Sequence, residues 1–581
     1  MNTVDKNISG VRAKGVGRRN LIKGLAAMGV VAPLAGSGLA QRGSLAVAQD
    51  GTPTAARGNP GGAVVVGVYQ EPNSLNFLLT GGPISFASMQ LSPLFEPMIR
   101  YDQNGEMQAR LLTEIPTVEN GGISEDGLTY TLHFQEGVTW HDGTPFTAND
   151  FKFTWEWIMD PKNQAQATGG WAEIESVEIP DDNTAVVTLK GLYLPWVAET
   201  LGWNPLLPQH IQSTMTTEEF GRNPVGNGPF KFVEWVPGDH ITYDRNENYY
   251  RDEQALLDRL IWKVVPDRNT VIAQARTGDI QIGVDYTEAQ IPEMSNVPGV
   301  TLEITPSSNY ERYHFTIVTR DDASVPHPIF GDKQVRLALT HALDRQTIVD
   351  QVLFGEAEIA KNELDNSPYE NTDIVPLAYD PELAKQLLDE AGWVPGADGI
   401  REKDGVRLSF THGTTSGNQT RETIQALAQA NWKDVGAEMT VANQPASKFF
   451  GGFNDGGGWL DRTIDMVGFT NGMASSDPNL RPFWHTESIP TTDKPGGFNH
   501  SGLSNPDLDE LLDQQITELD PAARTELLKQ AQVIIHEEVP MIPMYDRVVI
   551  NSVSDTVKGV QSSPFGSISG LVWNVEDWSV N

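Results

Sequence analysis

The groups in this chain that could do chemistry are 11 histidines, 77 acidic residues and a glycine-rich run, and their spacing decides what kind. His133 and His141 stand eight apart with the turn-forming Gly137 between them, which is not metal-ligand spacing, so both read as structural. Asp181 with Asp182, and Asp321 with Asp322, sit beside turn formers and read as exposed turn residues rather than as a general acid and base. The run GGFNDGGGW, Gly451 to Trp459, has the glycine of a phosphate cradle, yet nothing places it between a strand and a helix start, so it reads as a flexible rim loop. No G-x-S-x-G elbow, H-E-x-x-H, Walker A or Rossmann fingerprint is present. The chain has no cysteine, which excludes disulfides, thiolate metal sites, a cysteine nucleophile and lipid attachment through an N-terminal Cys. The sequence therefore predicts no catalytic residue, no metal site and no cofactor. The competing class is an extracytoplasmic hydrolase whose triad is scattered and recognisable only by geometry.

The elements that would position a site are well punctuated. Ala63–Tyr69 is a β-branched run, Thr129–Phe134 alternates apolar and polar, and strands recur at Thr184–Leu189, Lys231–Trp235, Leu260–Val265 and Ala437–Val441. Asp380-Pro381, Asn505-Pro506 and Asp520-Pro521 each put a cap and a first-turn proline before an amphipathic helix, and Val335–Phe354 and Asn418–Val435 show the same apolar spacing. Strands and helices alternate throughout, so the class is α/β. With 581 residues, the chain exceeds what one hydrophobic core holds and divides into domains.

At the start, Arg12, Lys14, Arg18, Arg19 and Lys23 precede an apolar stretch, Leu25–Leu39, and the small-residue pattern Ala46-Val47-Ala48. That is an export signal over residues 1–48, and GRRNLIK around Arg18-Arg19 resembles a twin-arginine signal, which makes the twin-arginine export machinery an expected partner. Residues 49–61, rich in Gly, Pro, Thr and Ala, read as a linker. The net charge of −36 repels nucleic acid and anionic lipid, so neither is an expected partner.

From Leu91 onward the strings LSPLFEPMIRYDQNGEMQARL, SEDGLTYTLHFQEGVTWHDGTPFTANDFKFTWE, NPVGNGPFKFVEWVPGDHITYDRNENYY, VRLALTHALDRQTIVDQVLFGEA, YDPELAKQLLDEAGW and RTELLKQAQVIIHEEVPMIPMY come in an order that resembles the family 5 solute-binding proteins of ABC importers, the oligopeptide and dipeptide group. The motifs also have physical readings of their own. Thr147 caps a helix with Asp150 three residues on, and Asn227-Gly228-Pro229 makes a tight turn in which glycine supplies positive φ. The resemblance implies a two-lobed periplasmic binding protein of type II with an extra domain, its mixed sheets flanked by helices. Domain I would be 62–94 with 223–295 and 546–581, domain II 95–222, and domain III 296–545. It implies a monomer outside the cytoplasm, not lipid-anchored, that closes on a small solute and delivers it to the importer's permease.

Four stretches match the positions that line the cleft in that family: Glu71–Phe77, Ser307–His314, Gly468–Pro478 and the neighbourhood of Trp203. Within them Tyr310, Tyr313, Phe469 and Trp203 are candidate walls for stacking, and Asn76, Glu311, Asn471 and Asp477 are candidate polar contacts. Peptide binders resembling the dipeptide type carry an Asp three residues before an acidic-Pro pair, where it anchors the ligand's amino group. Here the pair is Asp477-Pro478 and the earlier position is Ala474. The resemblance implies a peptide ligand first; a buried ammonium without a counter-charge is costly, so an oligosaccharide stands as the second reading.

Overall fold

Two strands in this protein are too long for a single core. Val300–Phe315 has 16 residues and Met541–Ser554 has 14, where a strand of five or six is usual, so each runs roughly 45 to 55 Å. The structure, a computed structural model, describes residues 58–581 apart from residues 73, 77, 79–88, 105, 164, 166–168, 203–204, 213–214, 253, 473–477 and 564–566. The expected export signal, the front of the expected linker, Trp203, Ala474 and Asp477 lie outside the described residues.

Ten strands form one mixed sheet. In chain order they are β1 (Ala63–Val68), β2 (Phe230–Val236), β3 (His240–Arg245), β4 (Arg259–Val264), β5 (Ile282–Gly283), β6 (Val300–Phe315), β7 (Ser409–Gly413), β8 (Glu438–Val441), β9 (Met466–Gly472) and β10 (Met541–Ser554). They lie side by side in the order β8-β7-β9-β6-β10-β5-β1-β4-β3-β2. β1 runs parallel to β4 and β5, and β7 runs parallel to β8 and β9, while β6 and β10 pair antiparallel at the centre. Their ladder slips between Pro306 and Tyr310, so its register skips Ser307–Asn309, and slips again between Glu311 and Arg312.

The sheet carries separate cores on either side of that slip. Val64, Val66 and Val68 of β1 pack with Leu260, Trp262 and the layer built on Tyr130, Leu132, Phe151 and Trp196. Beyond the slip, Tyr313 and Phe315 pack with Leu339, Leu388, Phe410, Trp432 and Ile542. The first core and the elements around it form one lobe and the second core forms the other, joined by two continuous strands.

The predicted caps are in place. Asp380 accepts from the Leu383 amide, Asn505 from those of Asp507 and Leu508, and Asp520 from those of Ala522 and Ala523, each before a proline-started helix. Val335–Phe354 differs from its predicted continuous helix. It runs as Lys333–His341, breaks, and restarts at Arg345 because Asp344 turns its carboxylate onto the Thr347 amide, ending in a π turn over Ile348–Val352. Gly451–Trp459, expected as a flexible rim loop, is pinned: Phe453 is fully buried beneath the Arg462 guanidinium, and the Gly458 amide donates to Gln444.

The turn at Gly226–Pro229 needs glycine for a different reason from the one read in the sequence. Neither Gly226 nor Gly228 has a positive φ. A Cβ on Gly226 would instead stand 1.9 Å from the Leu94 carbonyl oxygen, and one on Gly228 2.6 Å from that of Pro93. His141 clamps the turn, accepting from the Gly226 amide at 3.2 Å and donating to the Gly228 carbonyl at 3.1 Å. One ring nitrogen donates and the other accepts, so the ring is neutral, and burial lowers its pKa to about 4. Gly226→Ala is expected to destabilise the protein by about 1–3 kcal/mol, as overpacking against fixed backbone does. An unchanged urea midpoint would contradict this account of the turn.

Candidate ligand-binding cleft

Strands that end side by side leave their succeeding loops together, and ligands in open α/β sheets sit outside those carboxyl ends. β1 ends at Tyr69. β4 ends just before Asp267, which caps the helix Arg268–Thr277 through the Thr270 amide. In the other lobe β7 ends just before the loop to Asn418, which caps the helix Gln419–Asp434 through the Arg421 amide. These ends enclose a cleft of about 1150 Å³, with Tyr69, Arg268 and Asp285 on one wall, Ser416 and Thr470 on the other, and Arg547 of β10 between them.

Each wall is organised by an arginine and a carboxylate. Arg268 donates to the Asp285 carbonyl at 2.9 Å and to its carboxylate at 3.1 Å, and its guanidinium lies 3.7 Å from the centre of the Tyr69 ring. Asp285 reaches this position with φ of 53°, a left-handed backbone, and burial together with the Asp285 charge raises the Tyr69 phenol well above its usual range. Opposite, Arg421 donates to Glu311 at 2.7 and 3.2 Å, Thr470 donates to the same carboxylate at 2.7 Å, and Arg421 reaches Thr415 at 2.9 Å. Arg547 donates to Thr470 Oγ1 at 3.3 Å.

The residues singled out in the sequence fall in different places. Asn471 lines the cleft next to Thr470. Glu311 is buried one step behind the wall, its carboxylate held by Arg421 and Thr470. Tyr310 is buried with its hydroxyl accepting from Arg312 at 2.7 Å, and burial raises its pKa to about 12. Tyr313 packs against His412 and Trp432, and Phe469 against His314, Trp459 and His500, both inside the lobe. Asn76 is fully buried, with Oδ1 accepting from the Leu78 amide and Nδ2 without a partner among the described residues.

Tyr69, Arg268, Asp285 and Arg547 were not singled out. Two signals pointed to them. Pro266-Asp267 directly after a β-branched strand marks a strand end feeding a helix cap, and Arg547 is a lone cation in an otherwise mostly apolar strand, MIPMYDRVVINSV.

The lobes also touch through loop and helix residues outside the sheet. Asn479 donates to the Tyr193 hydroxyl at 2.7 Å and to Glu199 at 3.1 Å, Tyr193 donates to Glu199 at 2.6 Å, and the Leu194 amide donates to the Ile516 carbonyl at 3.0 Å.

A cleft at converging strand ends, between two lobes that share two uninterrupted strands, defines a binding protein that closes on a solute. The chain belongs to the bacterial extracellular solute-binding proteins, family 5, whose middle region it matches over residues 111–490. It is the extracytoplasmic solute-binding component of an ABC importer. Oligopeptide-binding protein AppA of Bacillus subtilis is 28% identical over 536 residues, covering 90% of this chain and 93% of AppA. Glutathione-binding protein GsiB of Escherichia coli is 27% identical over 454 residues, covering 77% of this chain and 83% of GsiB. Among solved structures, AppA in complex with a nonapeptide superposes with a TM-score of 0.75 at 26% identity, covering 90% and 99% of the two chains. NikZ of Campylobacter jejuni in complex with Ni(L-His) also gives 0.75, at 25% identity over 89% and 99%. Among the described residues no helix is long and apolar enough to cross a membrane.

Proposed function

We propose that this protein captures peptides in the cleft between its lobes, and that closing about the slip in β6 and β10 presents them to the importer's permease. The carrying observation is the cleft itself. At about 1150 Å³ it exceeds the 300 to 1,000 Å³ typical of single small-molecule sites, which suits a ligand of several residues, and the relative solved with a nonapeptide shares the fold along nearly its whole length. The polar lining fits an extended backbone with many hydrogen-bonding groups. Solute contacts to both walls stabilise the closed form by the difference in affinity between closed and open. Binding without turnover is part of this reading. So are export by a twin-arginine route, from Arg18 and Arg19, and a freely diffusing monomer.

Thermal shift of the purified protein against peptides and oligosaccharides tests the solute. A peptide at 100 times its dissociation constant is expected to add about 2.7 kcal/mol of stability. Stabilisation by oligosaccharides and by no peptide overturns the reading.

A further inference from the structure

Arg547 is an unusual arginine for its position. It stands at the slip in the central ladder, between Asp546, which pairs with Tyr310, and Val548, which pairs with Pro306, so it faces the Ser307–Asn309 segment, whose Ser307 hydroxyl donates to its carbonyl at 3.1 Å. Its side chain lines the cleft and is only partly exposed. Among the described residues it forms no ion pair within 4 Å, and its one side-chain hydrogen bond is the 3.3 Å contact to Thr470 Oγ1, an oxygen already bonded to Glu311 and Arg421. Burial disfavours its charge, and Asp285, Tyr545, Glu311 and Glu288 favour it without occupying its donors. The other two arginines of the site are taken up, Arg268 by Asp285 and Arg421 by Glu311.

The remaining acids nearby are also committed. Asp267 caps its helix, Glu293 pairs with Arg276 at 3.0 Å, and Glu288 is buried, which pushes its carboxyl toward the neutral form. A largely buried guanidinium that reaches the cleft with no carboxylate in contact retains most of its donors for whatever enters, and its fork matches a carboxylate in geometry as well as charge.

We propose that Arg547 is a specificity-determining residue that selects solutes bearing an anionic group, a carboxylate in the first place, by taking that group at the junction of the two lobes. This rests on the binding reading above and adds the charge class of the solute. Arg547 bonds to Thr470 of one lobe and faces the Asp285 side of the other, so an anion there bridges both walls. Neutralising the anion removes the charge assistance, and an amide in its place offers one acceptor oxygen to a fork that can meet two.

Two matched series test this by calorimetry and thermal shift: peptides with a free C-terminal carboxylate against the same peptides amidated, and oligosaccharides ending in a uronate against their neutral counterparts. The carboxylate form is expected to bind about tenfold to a hundredfold more tightly. In Arg547→Gln that ratio collapses toward one, and in Arg547→Lys, which keeps the charge and loses the fork, it survives in part. Far-UV circular dichroism and the unfolding midpoint establish that each variant folds, and if Arg547→Gln does not, the wild-type ratio and the lysine variant decide. Equal binding of charged and neutral forms, an unchanged ratio in Arg547→Gln, or no binding by any acid-bearing compound overturns the inference. Uronate-selective binding with no peptide binding upholds the role of Arg547 and overturns the peptide reading instead.

Discussion

Replacing Glu576 with alanine is expected to cost about 3–5 kcal/mol of stability, the range seen when one member of a buried ion network is removed. Glu576 is 4% exposed and Arg110 2%. Arg110 donates to Glu576 at 2.9 Å, to the Tyr249 hydroxyl at 2.9 Å and to Glu96, while Arg100 donates to Glu576 at 2.5 Å. Burial alone would raise the Glu576 carboxyl, but the two guanidiniums overcome it and hold it down at about 2. Alanine leaves two cations facing one remaining carboxylate, Glu96, in a dry site. Glu576→Gln keeps part of the hydrogen bonding and should cost less. Urea unfolding with the slope monitored alongside the midpoint reads the effect, and a loss under about 1 kcal/mol for the alanine variant would show that the network is not what holds the last residues of the chain to the strand Ile99–Tyr101.

The second large effect is a steep loss of stability in mild acid. His314 and His500 are buried with ring centres 4.3 Å apart, and all four ring nitrogens lack partners among the described residues. Burial, with the Arg312 charge beside them, pushes both pKa values well below the ordinary 6.5, and burial lowers His412 to about 3 and His141 to about 4. Below pH 6.5 the unfolded chain takes up four protons that the folded protein refuses, so stability falls as pH drops, by about 1.4 kcal/mol per pH unit for each histidine. Glu363 and Asp365 act in the opposite sense. Burial raises them to about 7 and about 6, so the folded state holds their protons where the unfolded state does not and gains stability on acidification. Burial lowers His536 as well and raises Asp150, Glu288 and Glu303, so the opposing groups partly cancel, and the strongly lowered histidines leave a net loss of stability between roughly pH 6 and 4.5, with a plateau above pH 7. Urea midpoints at pH 7.5, 6 and 5 measure it. A flat profile would mean that these rings find protons or partners in the folded state, and His500→Phe should make the slope shallower.

How much of each feature was legible in the sequence depends on the range of the interaction that decides it. Asp380, Asn505 and Asp520 act on amides two or three residues away, so cap and helix could be read together. β6 and β10 could not. Their residues pair across more than two hundred positions, and VTLEITPSSNYERYHF, interrupted by Pro306 and two serines, has no clean period of two. The site divides in the same way. Tyr310, Tyr313 and Phe469 are residues of central strands, and a strand covered on both faces sends both sets of side chains into protein, which no local pattern of aromatic residues reveals. The cleft is lined instead by the loops beyond the strand ends and by Arg547, whose exposure depends on a slip in the ladder that only the partner strand defines. The reason for glycine at Gly226 was equally hidden, since the obstacle is the carbonyl of Leu94, far back in the chain.

The bonds that Asn479 and Leu194 make between the lobes bear on how faithfully the importer is informed. Their donors and acceptors are all protein groups, so whatever they add to closing is the same with or without solute and carries no information about cargo. Strengthening them would raise apparent affinity, because less of the solute's binding energy is spent on closing, and would raise in the same proportion the number of empty, shut molecules arriving at the membrane as false messages. Signal over background is therefore set by the solute's own contacts alone. A few hydrogen bonds between the lobes mark a compromise between sensitivity when solute is scarce and wasted transport cycles when it is absent.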